Sequence, residues 1–309
     1  MSAIYKISKY SEPVIEKDQI IGFCSGWRKV YFKDSLDAIN ESLRFHNIHF
    51  KDIKTEKDNR SFLSNELHIE ILLHLYELGF LEADNQQSVS WESFRNHIIA
   101  IGRAKRYRML QEKGLGRGNL TKDILLKALL ESYLLINSVS DHIITAFDND
   151  LEFTELEALD EYLEEEYWHG RFLYYGLRKA GITEQEIGEY EMSKETKNLL
   201  NFLSDIAKDD FAAYMLCMSI TESPTNCPGH ITNRLREWRK IENQQIIPKQ
   251  VLDIFRKHEE HDLACGHGDF SYNFNLKDKE LSALRQQEIS KKIDAFLHLQ
   301  GEIYQGIKE

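Results

Sequence analysis

Cysteine is scarce. Cys24, Cys217, Cys227 and Cys265 are scattered over 309 residues with no C-x-x-C pair among them. That spacing indicates neither a zinc ribbon nor a disulfide framework. Proline is equally rare, at four residues, so long helices meet few breakers. Basic residues are in deficit: 39 Lys and Arg stand against 51 Asp and Glu, a net charge of −12. That balance argues against a protein that tracks nucleic-acid phosphates, and nucleic acid is set aside as a partner. No apolar run approaches the ~20 residues of a membrane span. Met1–Tyr10 lacks the apolar core of a signal peptide. The expectation is a soluble cytoplasmic protein with no membrane partner. No internal repeat is present. What the chain does have is 42% hydrophobic residues, enough to bury a substantial core in one large or two ordinary domains.

The first ninety residues read differently from the rest. Val14–Phe32 mixes β-branched and aromatic residues around Ser25-Gly26, and Lys29-Val30-Tyr31-Phe32-Lys33 alternates as a short hairpin strand does. Two or three strands are expected. Asp34-Ser35 can cap a helix to about Phe45, and Ser64–Leu81 is periodic through Leu67, Ile71, Leu75 and Leu78, with Gly79 as its stop. The polar run Glu82–Ser88 is the best linker. The expected division is therefore a small α+β module over 1–88 and a helical domain over 89–309.

From Trp91 onward the pattern is helical: Ser93–Gln111, Thr121–Phe147 with Thr121 as cap, Glu155–Lys179, Lys194–Glu222 in one or two pieces, Lys249–Cys265 and Leu281–Ile303. The glycines of Gly114–Asn119 follow no strand, so they read as a helix connection rather than a phosphate loop. With no strand-like segment after Trp91, this part is expected to be an all-α bundle of about seven helices.

Three of these helices break their apolar stripe with ionisable groups. Tyr162, Glu166, His169, Leu173 and Leu177 share one stripe, so a Glu-x-x-His pair projects where apolar side chains belong. Phe211, Met215 and Met218 are followed four residues on by Glu222, and Val251, Phe255, His258, Asp262 and Cys265 run from hydrophobic to ligand-like. Taken singly, each has an ordinary explanation: a hydrogen-bonded core histidine, a carboxylate at a helix end, a charged surface turn at His258–Asp262. Together they occur in order, on stripe positions, on successive helices. An unpaired buried carboxylate costs several kcal/mol, so such groups are neutralised by a partner or a metal. Carboxylate oxygen with imidazole suits iron, manganese or zinc.

A helical domain with Glu-x-x-His, a lone Glu on the next helix, then His-x-x-x-Asp-x-x-[His] resembles the haem-oxygenase-like diiron oxidases and oxygenases, relatives of the thiaminase II and pyrroloquinoline-quinone synthase families. The resemblance covers about Trp91–Ile303 and rests on Glu166, His169, Glu222, His258 and Asp262. It implies two ferrous ions, dioxygen, an electron donor, and oxidation of a substrate held in the bundle: an amino acid, fatty acid or amine-bearing intermediate. Glu166 and Glu222 would be the anionic ligands, with His169, His258 and Asp262 completing the coordination. Where the pattern has its final His this chain has Cys265; His261 or His267 can take its place, and a single metal is equally compatible. Manganese, or no metal, is the alternative to iron. Tyr162, Trp168, Tyr174 and Tyr214 can line the pocket or belong to plain core.

The stretch from Glu66 to Asp84 resembles the winged-helix modules that precede many peptide-modifying enzymes and hold a leader peptide. That would make the substrate a residue of a ribosomal precursor. A structural appendage or a dimerisation piece explains the same residues, and a homodimer is compatible with it. Two other classes stay open: a metal-free relative in which Glu222 and His258 do acid–base chemistry, and a non-enzymatic binding or scaffold protein. Haem oxygenase proper needs a proximal histidine on its first helix, for which His97 is the candidate in Trp91–Gln111.

Overall fold

The structure is a computed structural model. It describes residues 5–9, 11–16, 19–25, 28–31, 75–83, 88–114, 121–221 and 280–309, together with 249, 253–254, 256–257, 260–261, 270–271 and 274. The described residues form seven strands and eight helices, besides single helical turns. The chain divides into two compact units, Met1–Tyr107 with Leu276–Ser290, and Arg108–Asn275 with Lys291–Glu309.

In the first unit, β1 (Tyr5–Ile7), β2 (Ser11–Glu16), β3 (Gln19–Ser25) and β4 (Arg28–Tyr31) precede β5 (Leu81–Ala83) and β6 (Val89–Ser90). Strands β2, β3 and β4 form an antiparallel meander in which Ser11 faces Ser25 and Ser25 faces Arg28, so the hairpin turns where the alternation places it. Strand β1 pairs antiparallel with β5. Residues 75–77 are helical, as the periodicity of 64–81 requires, but the helix does not reach Leu81. Gly79 takes φ +76°, and a Cβ there would lie 2.9 Å from that of Ala100. Only glycine fits this left-handed turn against a neighbouring helix, and beyond it the chain turns into β5. The linker expected at Glu82–Ser88 therefore begins inside a strand. The helix expected after Asp34 lies outside the described residues.

Helix α1 (Trp91–Lys113) follows β6, and it and the last helix are each shared between the units. Its buried residues Phe94, Ile98, Ile99 and Ile101 join Phe23, Leu75, Phe80 and Leu81 in the core of the first unit. His97, on this helix, stacks on Tyr76 at 3.8 Å and donates from Nδ1 to the Tyr76 carbonyl at 2.7 Å. Nδ1 of His97 is thereby satisfied within the core of the first unit. A further strand, β7 (Glu280–Leu281), pairs antiparallel with β6. The absence of strand after Trp91 is thus corrected. Two residues carry no readable alternation, and it is the cross-chain pairing that makes them a strand.

The second unit is helical: α2 (Lys122–Asn137), α3 (Val139–Ala146), α4 (Phe153–Lys179), α5 (Glu184–Glu189), α6 (Lys194–Asp209) and α7 (Phe211–Thr221), closed by most of α8 (Ala283–Lys308). Thr121 caps α2 as its sequence predicts, accepting from the Ile124 amide at 3.2 Å. The single helix expected over Thr121–Phe147 is two, broken at Ser138, whose amide bonds back to Leu134 and Leu135. Residues 194–221 are also two helices, joined at Asp210. Asp210 accepts from the Ala213 amide at 3.2 Å and pairs with Lys292 at 2.7 Å, so it caps α7 and ties it to α8. In α7, Phe211–Ile220 is buried all round. What reads as one stripe in the sequence is a central helix with no solvent face.

Glu131, buried on α2, accepts from Tyr190 Oη at 2.7 Å, the Ser193 amide at 2.9 Å, Ser193 Oγ at 3.0 Å and Thr196 Oγ1 at 2.6 Å. This knot fixes the α5–α6 connection on α2. Burial and the neighbouring carboxylate raise the Tyr190 phenol above its ordinary range.

Candidate functional site

Helix α4 begins with a capping box, Glu152 with Glu155. Its inward stripe, Leu159, Tyr162, Glu166, His169, Leu173 and Leu177, is buried throughout. Below the ionisable pair, Leu173 and Leu177 pack with Leu125 and Leu129 of α2. The glycine beside His169 sets how close α2 can come: a Cβ at Gly170 would stand 2.7 Å from Asn137 Oδ1 and 3.3 Å from Asn137 Cα. Absence of a side chain there lets the end of α2 press against α4 next to the imidazole.

One turn of helix brings Glu166 Oε2 and His169 Nδ1 to 3.1 Å, with both side chains buried. The second ring nitrogen of His169, Nε2, is also buried. His261, exposed, sets its ring 5.3 Å from that of His169 at 76°, and 6.0 Å from Phe172. Tyr162, one turn before Glu166, stacks on Phe270 at 4.2 Å. Phe270 meets Phe274, and Phe274 meets Phe211, so aromatic rings wall this side of the pair.

The short helix α3 adds a residue that the sequence reading passed over. His142 is buried, and its Nδ1 lies 2.9 Å from Tyr214 Oη of α7. Burial lowers the His142 pKa to about 4, against the opposing pull of the Glu166 charge. Burial also pushes the Tyr214 phenol well above its ordinary range, helped by Glu166 and Cys217. Both groups are therefore neutral near pH 7, and the phenol donates to Nδ1 in the tautomer that keeps its proton on Nε2. Glu166 is close enough for its charge to act on both. The signal was the one that marked the other helices: His142 sits among Ile143 and Ala146 on a buried face.

Of the residues expected to bind metal, Glu166 and His169 come together and His261 stands beside them. Glu222, His258, Asp262 and Cys265 lie outside the described residues. Among the described residues, no three His, Cys, Asp or Glu side chains converge closely enough to hold an ion. Oxygen and imidazole nitrogen side by side in a buried site are nonetheless the donor types that iron and manganese take, so the pair fits such an ion in part. Of the aromatics expected to line a pocket, Tyr162 and Tyr214 are buried here. Trp168 faces outward, and Tyr174 bonds Glu184 at the surface.

No known family model matches the chain, and no curated protein does. Among solved structures, it is similar to a domain of unknown function with a haem-oxygenase-like fold from Shewanella denitrificans OS217. The two superpose with a TM-score of 0.54 at 14% identity, over 67% of this chain and 88% of that one. At that identity the likeness shows the fold alone, and the fold is the mainly helical, haem-oxygenase-like one that the family resemblance implies. Among the described residues no helix is long and apolar enough to cross a membrane.

Proposed function

We propose that the protein is a non-haem iron enzyme, an O2-dependent oxidase or oxygenase that tailors an amino acid, a fatty acid or a peptide-borne residue. The observation that carries this reading is the buried Glu166–His169 pair, 3.1 Å apart on the inward stripe of α4. A carboxylate oxygen and an imidazole nitrogen held side by side away from water are donors that ferrous iron accepts, and the nearby His142–Tyr214 pair is neutral and does not repel a cation.

In this reading Glu166 and His169 are ligands, joined by Glu222, His258 and Asp262, with His261 or Cys265 in the last position; Fe(II) is the metal, as two ions. Ferrous iron would supply the electrons and open coordination positions that dioxygen chemistry requires. The chain's own residues do the rest. Tyr162 with Phe270 and Phe274 excludes water from one side. Tyr214 Oη and His142 Nδ1 share one hydrogen bond beside the Glu166 charge. A winged-helix-like N-terminal module that holds a leader peptide would make the substrate peptide-borne, and an external electron donor completes turnover.

Anaerobic ferrous titration followed by oxygen exposure tests this on wild type, Glu166→Gln and Glu222→Ala, with metal analysis and visible absorption. Expected are about two irons per chain and an oxygen-dependent absorption change, both lost in the variants while far-UV circular dichroism is kept. No iron uptake by reduced wild type would sink the reading. One observation favours a metal-free alternative: Glu166 and His169 bond directly, as an acid–base dyad does. The same titration separates the two.

A further inference from the structure

We propose that the outward face of α4 is a self-association surface that pairs antiparallel with the same helix of a second copy of this chain. The face carries four exposed aromatic side chains, Tyr167 at 63%, Trp168 at 45%, Phe172 at 41% and Tyr175 at 61% of full accessibility. Trp168, Phe172 and Tyr175 follow one another at helical spacing, and the Arg171 guanidinium lies 3.9 Å over the Trp168 ring. Single exposed aromatics are ordinary, but a stripe of them on one helix is not.

Charge identifies the occupant. Glu157, Glu164, Arg171 and Arg178 fall on one line of the exposed face at equal seven-residue spacing. The first two are acidic and the last two basic. A parallel copy would set acid on acid and base on base. An antiparallel copy, with its two-fold axis between Tyr167 and Trp168, sets Glu164 against Arg171 of the second copy and Glu157 against Arg178, each twice over. Such self-complementarity under a two-fold is the signature of an isologous interface. A partner of uniform charge would oppose one half of the line.

Tyr167 and Trp168 lie at the middle of this line, where a two-fold contact is driest, and Phe172 and Tyr175 lie toward its basic end. Each such side chain buries roughly 150–250 Å² when fully covered. Their exposed parts therefore supply on the order of half of the ~800 Å² per partner in a standard interface. The flanking charged side chains along ~33 Å of helix supply the remainder.

Sedimentation velocity of the full chain, from roughly 1 to roughly 100 μM, tests the proposal. Wild type is expected at twice the 36.3 kDa chain mass. Trp168→Glu, and separately Glu157→Lys with Glu164→Lys, are expected to give monomer with unchanged circular dichroism. Adding Arg171→Glu and Arg178→Glu to the acid-end reversal recreates the complementarity and is expected to restore the dimer. A wild type that is monomeric at the highest concentration overturns the proposal, because the face then serves another partner or a segment of its own chain. So does a dimer indifferent to Trp168→Glu, or a folded four-fold variant that stays monomeric.

Discussion

Replacing His142 by asparagine should flatten the acid side of the protein's stability profile. In the folded chain burial holds this imidazole at about 4, whereas the unfolded chain presents it at 6.5. Between those values the unfolded state binds more protons than the folded state, so stability rises with pH across the window and is lost as pH falls through it. Above the unfolded value both states are neutral at this residue and the full stability is present. At 1.36 kcal/mol per unit, going from about pH 7.5 to about pH 4.5 costs the wild type roughly 2.5 kcal/mol through this one group. Asparagine carries no titrating proton, and its Oδ1 can accept from Tyr214 Oη where Nδ1 does.

Urea unfolding of chelator-treated protein at the two pH values reads the difference directly. The many exposed carboxylates contribute equally to both proteins and cancel. The expected result is a fall in stability with acid that is about 2.5 kcal/mol shallower in His142→Asn than in wild type. Equal falls in the two proteins would refute the claim that His142 is buried and neutral beside Glu166.

Glu131→Ala is expected to destabilise by about 3–5 kcal/mol in the same unfolding assay, because it leaves four donors in or around a buried knot without their acceptor. Glu131→Gln keeps the volume but turns an amide toward those donors, and should fall between the two. Gly170→Ala should cost about 1–3 kcal/mol by overpacking and weaken ferrous binding in titration, since the new Cβ meets Asn137 at 2.7 Å. Asn137→Ala in that background removes the Oδ1 clash but not the Cα at 3.3 Å, so only part of the loss should return.

Helical periodicity made most of the second unit legible. Every member of the Tyr162–Leu177 stripe is buried, and Thr121 and Asp210 mark helix ends as polar capping residues do. The break at Ser138 was hidden because apolar residues continue on both sides, Leu134–Ile136 and Val139, with no proline or glycine between. Read as part of one apolar helix through Phe147, a single histidine among Ile143, Ile144 and Ala146 does not stand out, which is why His142 escaped. Strands β5 and β7 owe their existence to distant partners, Tyr5–Ile7 and Val89–Ser90. No local pattern of two or three residues encodes such pairing. The Glu-x-x-His pair was legible for the opposite reason: its geometry is set within one turn of one helix. Glu222, His258, Asp262 and Cys265 lie on separate segments outside the described residues, and no single turn of helix fixes where they stand.

Helix α4 thus carries two surfaces, and 100° per residue sets them on nearly opposite sides. Tyr162, Glu166, His169, Leu173 and Leu177 cluster about one direction, and Glu157, Glu164, Trp168, Arg171 and Tyr175 about the reverse; the first set is buried and the second exposed or half-exposed. A continuous 27-residue helix transmits little across its own axis when a solvent-facing side chain is exchanged, so the two surfaces should fail independently. Reversing Glu157 and Glu164 to lysine should abolish the dimer and leave ferrous stoichiometry as in wild type. Glu166→Gln should abolish iron uptake and leave sedimentation unchanged. If reversing the outer charges also removed iron, the site would be completed only in the dimer. Self-association would then be part of building the centre rather than a separate property of the same helix.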